Sequence, residues 1–366
     1  MKPAIYFSIL LTVIIIGVIA LDRDTLTYAG TEPHHTRDGF RNPYPGFEKR
    51  GFRDFLKWVT TERRSNGDSE SDDVVYSFER VANDGAFLRA NRSDFTVTWV
   101  GHSTVLVQIE GVNILTDPMW SDRASPVSWA GPKRYTKPGL AFEDLPEIHV
   151  VLISHDHYDH LDKATLNRLG SEPLYLVPLG IGEFLKKRGI VNYRELDWWE
   201  STEYRGITFN STPAQHFSGR GMFNRNSTLW CAWAVRGESQ SFYFAGDTGY
   251  FPGFREVGER YGPFDLVCIP IGAYLPKWFM GPVHTNPAEA IRAFHELDGR
   301  IFVPVHWGTF TLASDPPGLP PTELLEEIRK QQLNSDNYWM LRHGETRNIT
   351  RFFSQTHERT EESSLY

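Results

Sequence analysis

The chain has 366 residues, a formal net charge of -8 and 40% hydrophobic residues. That length holds one large domain or two small ones, with a sizeable core. The acidic balance argues against nucleic-acid binding through a basic surface.

Lys2 precedes a nearly unbroken apolar run from Ile5 to Leu21, closed by Asp22-Arg23-Asp24. Residues 1–24 are read as an uncleaved single-pass membrane anchor. The alternative is a signal segment cleaved near Val18-Ile19-Ala20, which would leave a secreted protein. Lys2 alone is too small a charge asymmetry to set the side of the membrane. Residues 25–92 form an N-terminal arm rich in Gly, Pro, Arg and acidic residues. Within it Phe52, Phe55, Leu56 and Val59 have helical spacing, and Arg63 to Asp73 reads as a flexible loop.

From Phe95 the pattern turns strand-rich. Strands are expected over Phe95–Val100, Thr104–Ile109 and Val112–Thr116, the last closed by Asp117-Pro118. Met119 to Pro138 reads as a long loop. Val150–Ile153 is a buried strand. Further strands are expected at Leu174–Val177, Gly206–Ser211, Leu229–Val235, Phe242–Ala245, Asp265–Ile269 and Ile301–Val305. Helices are expected at Lys163–Leu169, Ile181–Arg188 and Pro287–Leu297, and over Thr322–Gln332 with Thr322 as N-cap. Residues 93–353 therefore read as one domain with both strands and helices, an α+β arrangement. Residues 354–366 form a polar tail. Cys231 and Cys268 sit in apolar, strand-like surroundings and read as core thiols. The 11 Trp residues point to heavy packing or an apolar binding surface.

The chemistry concentrates in Ser154-His155-Asp156-His157-Tyr158-Asp159-His160. His155, His157, Asp159 and His160 offer imidazole and carboxylate donors of the kind that hold zinc. So dense a set belongs on a turn, where the side chains can fan out. Three more apolar strands lead to candidate ligands: Gly206–Ser211 to His216, Phe242–Ala245 to Asp247, and Ile301–Val305 to His306. Seven candidates exceed one tetrahedral zinc but suit two ions sharing a bridging carboxylate. His102 lies in a strand-adjacent turn and reads as structural.

The histidine loop, with His216, Asp247 and His306 at similar intervals, resembles the metallo-β-lactamase superfamily. Further blocks resemble its N-acylphosphatidylethanolamine-hydrolysing phospholipase D branch. They include Trp99-Val100-Gly101-His102-Ser103-Thr104, Leu115-Thr116-Asp117-Pro118, Gly131-Pro132-Lys133-Arg134, Glu195-Leu196-Asp197-Trp198-Trp199-Glu200, Ile269-Pro270-Ile271-Gly272-Ala273-Tyr274 and His306-Trp307-Gly308-Thr309-Phe310.

The resemblance implies an αββα sandwich with the site at one edge of the two sheets. It implies two Zn2+ per chain: His155, His157 and His216 on one, Asp159, His160 and His306 on the other, with Asp247 bridging. A bridging hydroxide would attack phosphorus in N-acylphosphatidylethanolamine, giving phosphatidic acid and an N-acylethanolamine. His284 would face the substrate as a catalytic and substrate-binding residue, and Tyr158 would contact it. Lys133 and Arg134 are candidates to face lipid phosphates. Ser128 and Trp129 depart from the family's pattern, which leaves head-group and acyl selectivity open. The resemblance also implies a membrane surface as working site, a phospholipid substrate, no nucleic acid and a homodimer. The competing expectations are a lactonase or other metal-dependent hydrolase of the superfamily, and a membrane-tethered, non-catalytic binding protein.

Overall fold

Short β-branched runs separated by tight turns make residues 96–116 pair locally. The computed structural model describes residues 32–45, 47, 50–58, 60, 78–221 and 224–355. A ribbon of β1 (His35–Thr36) and β2 (Gly39–Phe40) comes first. An antiparallel meander follows: β3 (Thr96–Gly101), β4 (Thr104–Ile109) and β5 (Val112–Thr116). Parallel strands β6 (Val150–Leu152), β7 (Leu174–Pro178) and β8 (Tyr193–Leu196) extend the sheet. A second sheet holds β9 (Ser201–Tyr204), β10 (Ile207–Thr212), β11 (Ala232–Arg236) and β12 (Ser241–Phe244) in antiparallel order. The parallel strands β13 (Phe264–Pro270) and β14 (Gly299–Val305) complete it. The last strand, β15 (Thr346–Asn348), returns to the first sheet beside β3. Among the described residues the two sheets therefore have seven and six strands.

The period of two along each strand sorts its side chains between two cores. On β4, Val105, Val107 and Ile109 pack into the large core that also contains Phe209, Trp233, Val235 and Phe242 of the other sheet. Leu106 points the other way, into a core shared with Leu166 and Leu185 of the outer helices. Phe254, Val257, Ala290, Ile291 and Phe294 cover the second sheet from outside. The layers run helix, sheet, sheet, helix, as expected. Each such apolar side chain taken fully from water contributes roughly 1.5–3 kcal/mol. The tryptophans go mostly into packing: Trp99, Trp230 and Trp233 are fully buried. Cys231 and Cys268 are buried free thiols, in line with their reading as core residues.

Several boundaries moved. The Pro287–Glu296 helix starts where expected. Its cap is reciprocal: Asn286 Oδ1 accepts from the Glu289 N–H and Glu289 Oε2 from the Asn286 N–H, both at 3.1 Å. The last long helix begins earlier than expected, at Leu319, so Thr322 is no N-cap. Its hydroxyl instead donates to the Gly318 carbonyl within the first turn. The helix Gly253–Tyr261 and the strands β8 and β9 were not expected. β9 has an exposed, polar face that hides the strand signal.

The expected membrane anchor is not supported. Among the described residues no helix is long and apolar enough to cross a membrane. The longest described helix, Leu319–Lys330, has 12 residues, against about 20 for a span. The stretch Ile5 to Leu21, on which both the anchor and the signal reading were based, lies outside the described residues.

Candidate metal centre

Each candidate side chain lies just past the carboxyl end of a buried strand. β6 leads through Ile153 into the histidine loop, β10 to His216, β12 to Asp247 and β14 to His306. β3 and β5 add His102 and Asp117 at the same edge. His102, Asp117 and His306 have φ of 54°, 33° and 61°. Such angles are uncommon for non-glycine residues, and packed surroundings hold them here.

Buried indoles supply part of that restraint. Trp233 Nε1 donates to the Ile153 carbonyl at 3.0 Å, next to the histidine loop. Trp230 Nε1 donates to Ala214 at 2.9 Å, two residues before His216. Trp99 Nε1 donates to His102 at 2.9 Å, and Trp307 Nε1 to Pro304 at 3.1 Å, two residues before His306. Packed indoles thus pin the backbone at four of the loops that carry the polar cluster. Gly246 adds a steric requirement: a Cβ there would lie 2.4 Å from Ser154 Cβ.

The structure brings all seven candidates together. In one group, His157 Nδ1 lies 2.8 Å from His155 Nε2 and 3.3 Å from His216 Nε2. In the other, Asp159 Oδ2 lies 3.1 Å from His160 Nε2 and 3.4 Å from His306 Nε2. Asp247 Oδ2 joins them, at 3.2 Å from His160, 3.1 Å from His306 and 3.8 Å from His216. Donor atoms at about 2.0–2.1 Å around a tetrahedral ion are about 3.3 Å apart. His160 Nε2, His306 Nε2 and Asp247 Oδ1 are buried and have no well-aligned hydrogen bond among the described residues. Buried polar atoms left this way are costly. The donor set, the spacing and these orphaned atoms fit two divalent ions.

Outer hydrogen bonds orient the rings. His160 Nδ1 lies 2.7 Å from Asp117 Oδ2, which directs Nε2 inward. Ser154 donates its hydroxyl to Asp117 at 2.6 Å and is 2.9 Å from His155 Nδ1. His216 Nδ1 donates to the Val283 carbonyl at 2.9 Å. Such partners fix tautomer and ring orientation in metal sites. His102 Nε2 donates to Asp159 Oδ2 at 2.8 Å. Its role is thus to support a candidate ligand as well as the turn. The roles of Asp117 and Ser154 emerge only from these contacts. The one signal for Asp117 is its place at a strand end like the others.

The field favours positive charge. Burial opposes a charged His306, but Asp247 and Asp159 raise its pKa to about 9. Burial opposes a charged Asp247 too, yet His160 and His306 hold its pKa well below the usual range. His284 stands at the rim, with Nδ1 3.9 Å from Asp247 Oδ2. Burial, foremost, lowers its pKa to about 4, so the ring is neutral near pH 7. The Tyr158 hydroxyl donates to the Arg220 carbonyl at 2.7 Å, and the Arg220 guanidinium lies 4.0 Å over its ring. Tyr158 thereby braces the segment after His216. Arg134 does not face solvent. It is buried and donates to the carbonyls of Met119 and Ser121, because a buried guanidinium needs acceptors. Lys133, Ser128 and Trp129 are exposed. A cavity of about 480 Å³ opens beside His216, lined by Phe40, Phe47, Phe217, Arg41 and Arg225.

Residues 112–307 match the Beta-lactamase superfamily domain. The chain is 44% identical over 251 residues to N-acyl-phosphatidylethanolamine-hydrolyzing phospholipase D 1 of Caenorhabditis elegans, across 65% of this chain and 70% of that one. It is 36% identical over 240 residues to the mitochondrial N-acyl-phosphatidylethanolamine-hydrolyzing phospholipase D of Saccharomyces cerevisiae, across 63% of this chain and 51% of that one. A metallo hydrolase from Ignicoccus hospitalis superposes with a TM-score of 0.52 at 23% identity, across 70% of this chain and 98% of that one. Fold and relatives define a metal-dependent hydrolase of the metallo-β-lactamase superfamily. Within it, the chain belongs to the N-acylphosphatidylethanolamine-hydrolysing phospholipase D family.

Proposed function

We propose that the protein is a dizinc phosphodiesterase that hydrolyses N-acylphosphatidylethanolamine to phosphatidic acid and an N-acylethanolamine. The observation that carries this reading is Asp247 Oδ2, within 3.8 Å of imidazole nitrogens from both groups. His155, His157 and His216 would hold one ion, and Asp159, His160 and His306 the other, with Asp247 shared. Bound there, the ions would offset charge on the phosphoryl oxygens and lower the pKa of a water to make the nucleophile.

The protein's own part is positioning and charge. Asp117, Ser154 and the Val283 carbonyl hold three imidazoles with one nitrogen turned inward. His102 steadies Asp159. His284, with Nδ1 3.9 Å from Asp247 Oδ2, would hydrogen-bond a phosphoryl oxygen or the departing oxygen of the N-acylethanolamine. In the hydrolysis, water oxygen bonds to phosphorus, and the phosphorus–oxygen bond to the N-acylethanolamine breaks. The cavity beside His216, lined by phenyl rings, by Arg41 and Arg225 and by the Asp38 carboxylate, would take an amphiphile whose phosphate meets the two guanidiniums. A lipid aggregate would then be the working partner.

Mass spectrometry of the products tests this, with N-acylphosphatidylethanolamine, a lactone and a simple phosphodiester as parallel substrates. Phosphatidic acid and N-acylethanolamine from the lipid are expected. Turnover of the lactone alone would overturn the phosphodiesterase reading.

A further inference from the structure

A second cluster of metal-ligating side chains lies outside the centre described above. His34 Nε2 is 2.6 Å from Asp197 Oδ1, and His35 Nε2 is 2.8 Å from Asp197 Oδ2. The three donors lie within 4.8 Å of one another. Adjacent residues of a regular strand face opposite ways. His34 escapes that rule because it sits in the turn before β1, so both rings reach the same carboxylate.

We propose that His34, His35 and Asp197 form a further binding site for a divalent transition-metal ion of the zinc class. This goes beyond the proposed hydrolysis and does not depend on it. Two imidazoles and a carboxylate are a donor set typical of such ions, leaving a fourth position for water. The histidine side chains are 5% and 4% exposed and that of Asp197 is 13% exposed. The site is thus shielded yet open at the carboxylate. Supporting contacts resemble those around known ligands. The Trp198 N–H donates to Asp197 Oδ1 at 2.7 Å. Trp198 stacks on His34 with centroids 4.2 Å apart, and Phe40 meets His35 edge-on at 5.3 Å. Spacings of 2.6 and 2.8 Å are shorter than the roughly 3.3 Å between ligands of a tetrahedral ion. The His155–His157 pair is compressed alike, at 2.8 Å. An ion there would need the carboxylate to draw back from the two rings by roughly 0.5–0.7 Å.

The ion would join segments 163 residues apart in sequence. It would clasp the β1–β2 ribbon to the turn between the sheets. That ribbon continues to Asn42, whose Nδ2 donates to the His216 carbonyl at 2.7 Å. The site therefore buttresses the wall of the main centre.

Metal analysis of the full chain, loaded with Zn2+ and dialysed, tests the proposal. Relative to the unaltered chain, the double variant H34A/H35A should lose about one equivalent of zinc and the main centre should keep its own. Conversely, H155A/H157A/H306A should still bind about one equivalent, lost when H34A/H35A is added. If the triple variant does not fold, Asp197→Asn, which preserves shape, replaces it, and its zinc-dependent rise in Tm is compared with that of the unaltered chain. Equal zinc content with and without His34 and His35, or an undiminished rise in Tm for Asp197→Asn, overturns the proposal and leaves a purely hydrogen-bonded clamp.

Discussion

The two halves of the candidate centre are built from different materials. The His155, His157 and His216 half is all imidazole, and its outer partners are a hydroxyl and a carbonyl, Ser154 and Val283. The Asp159, His160 and His306 half contains a carboxylate. Behind it stand Asp117 on His160 and His102 on Asp159. One half therefore offers neutral donors and the other a negative field. Asp247 Oδ2 sits nearer the charged half, at 3.1 and 3.2 Å from its histidines against 3.8 Å to His216. On the dizinc reading proposed above, one ion would be held by softer nitrogen donors and the other by charge.

The largest test removes what the halves share. Asp247→Asn should lower lipid hydrolysis about 10³-fold or more, since charge stabilisation by the metals is worth several kcal/mol. Metal analysis should show content falling in both halves. A variant that keeps full metal content and full turnover would refute the shared role.

Next come single-half lesions. His306→Ala and His216→Ala should each abolish most turnover and each cost about one metal equivalent. The charged half should release its ion on dilution into chelator at a different rate from the imidazole half. Identical release from both variants would erase the contrast.

The outer partners should matter less. Asp117→Asn should cost about 10–100-fold in activity or metal affinity. Ser154→Ala should cost less, because Asp117 and its contact to His160 stay in place. Reversal of that order would mean that the hydroxyl, not the carboxylate, controls orientation. The comparison of kcat with KM would also separate these variants from His284→Ala. The latter should lower turnover while leaving metal content unchanged.

The smallest effect is a control. Asn286→Ala removes one side of the capping box and should cost about 1 kcal/mol, seen as a lower Tm with unaltered metal content. If metal were lost as well, simple instability could explain the other variants too.

Local chemistry made much of this centre legible. The crowding of His155, His157, Asp159 and His160 into one loop needs no tertiary contact to be recognised. The strands before His216, Asp247 and His306 are apolar runs whose period and length survive in any reading. The polar edge strand β9 carries no such signal. A guanidinium in a loop reads as solvated, yet Arg134 is buried. Only the fold supplies the Met119 and Ser121 carbonyls that accept from it.

By itself, then, the sequence determined the donor types, their strand-end positions and the family. The tertiary structure decided which donors meet, which nitrogen of each ring turns inward, and that Asp117, Ser154 and His102 stand behind them. It also decided that buried indoles grip the loops, and that His34 and His35 share Asp197. The reason is one of range. Donor identity and strand period are properties of neighbouring residues. Convergence depends on contacts between distant ones, such as His102 with Asp159 or His34 with Asp197, which exist only once the two sheets have packed.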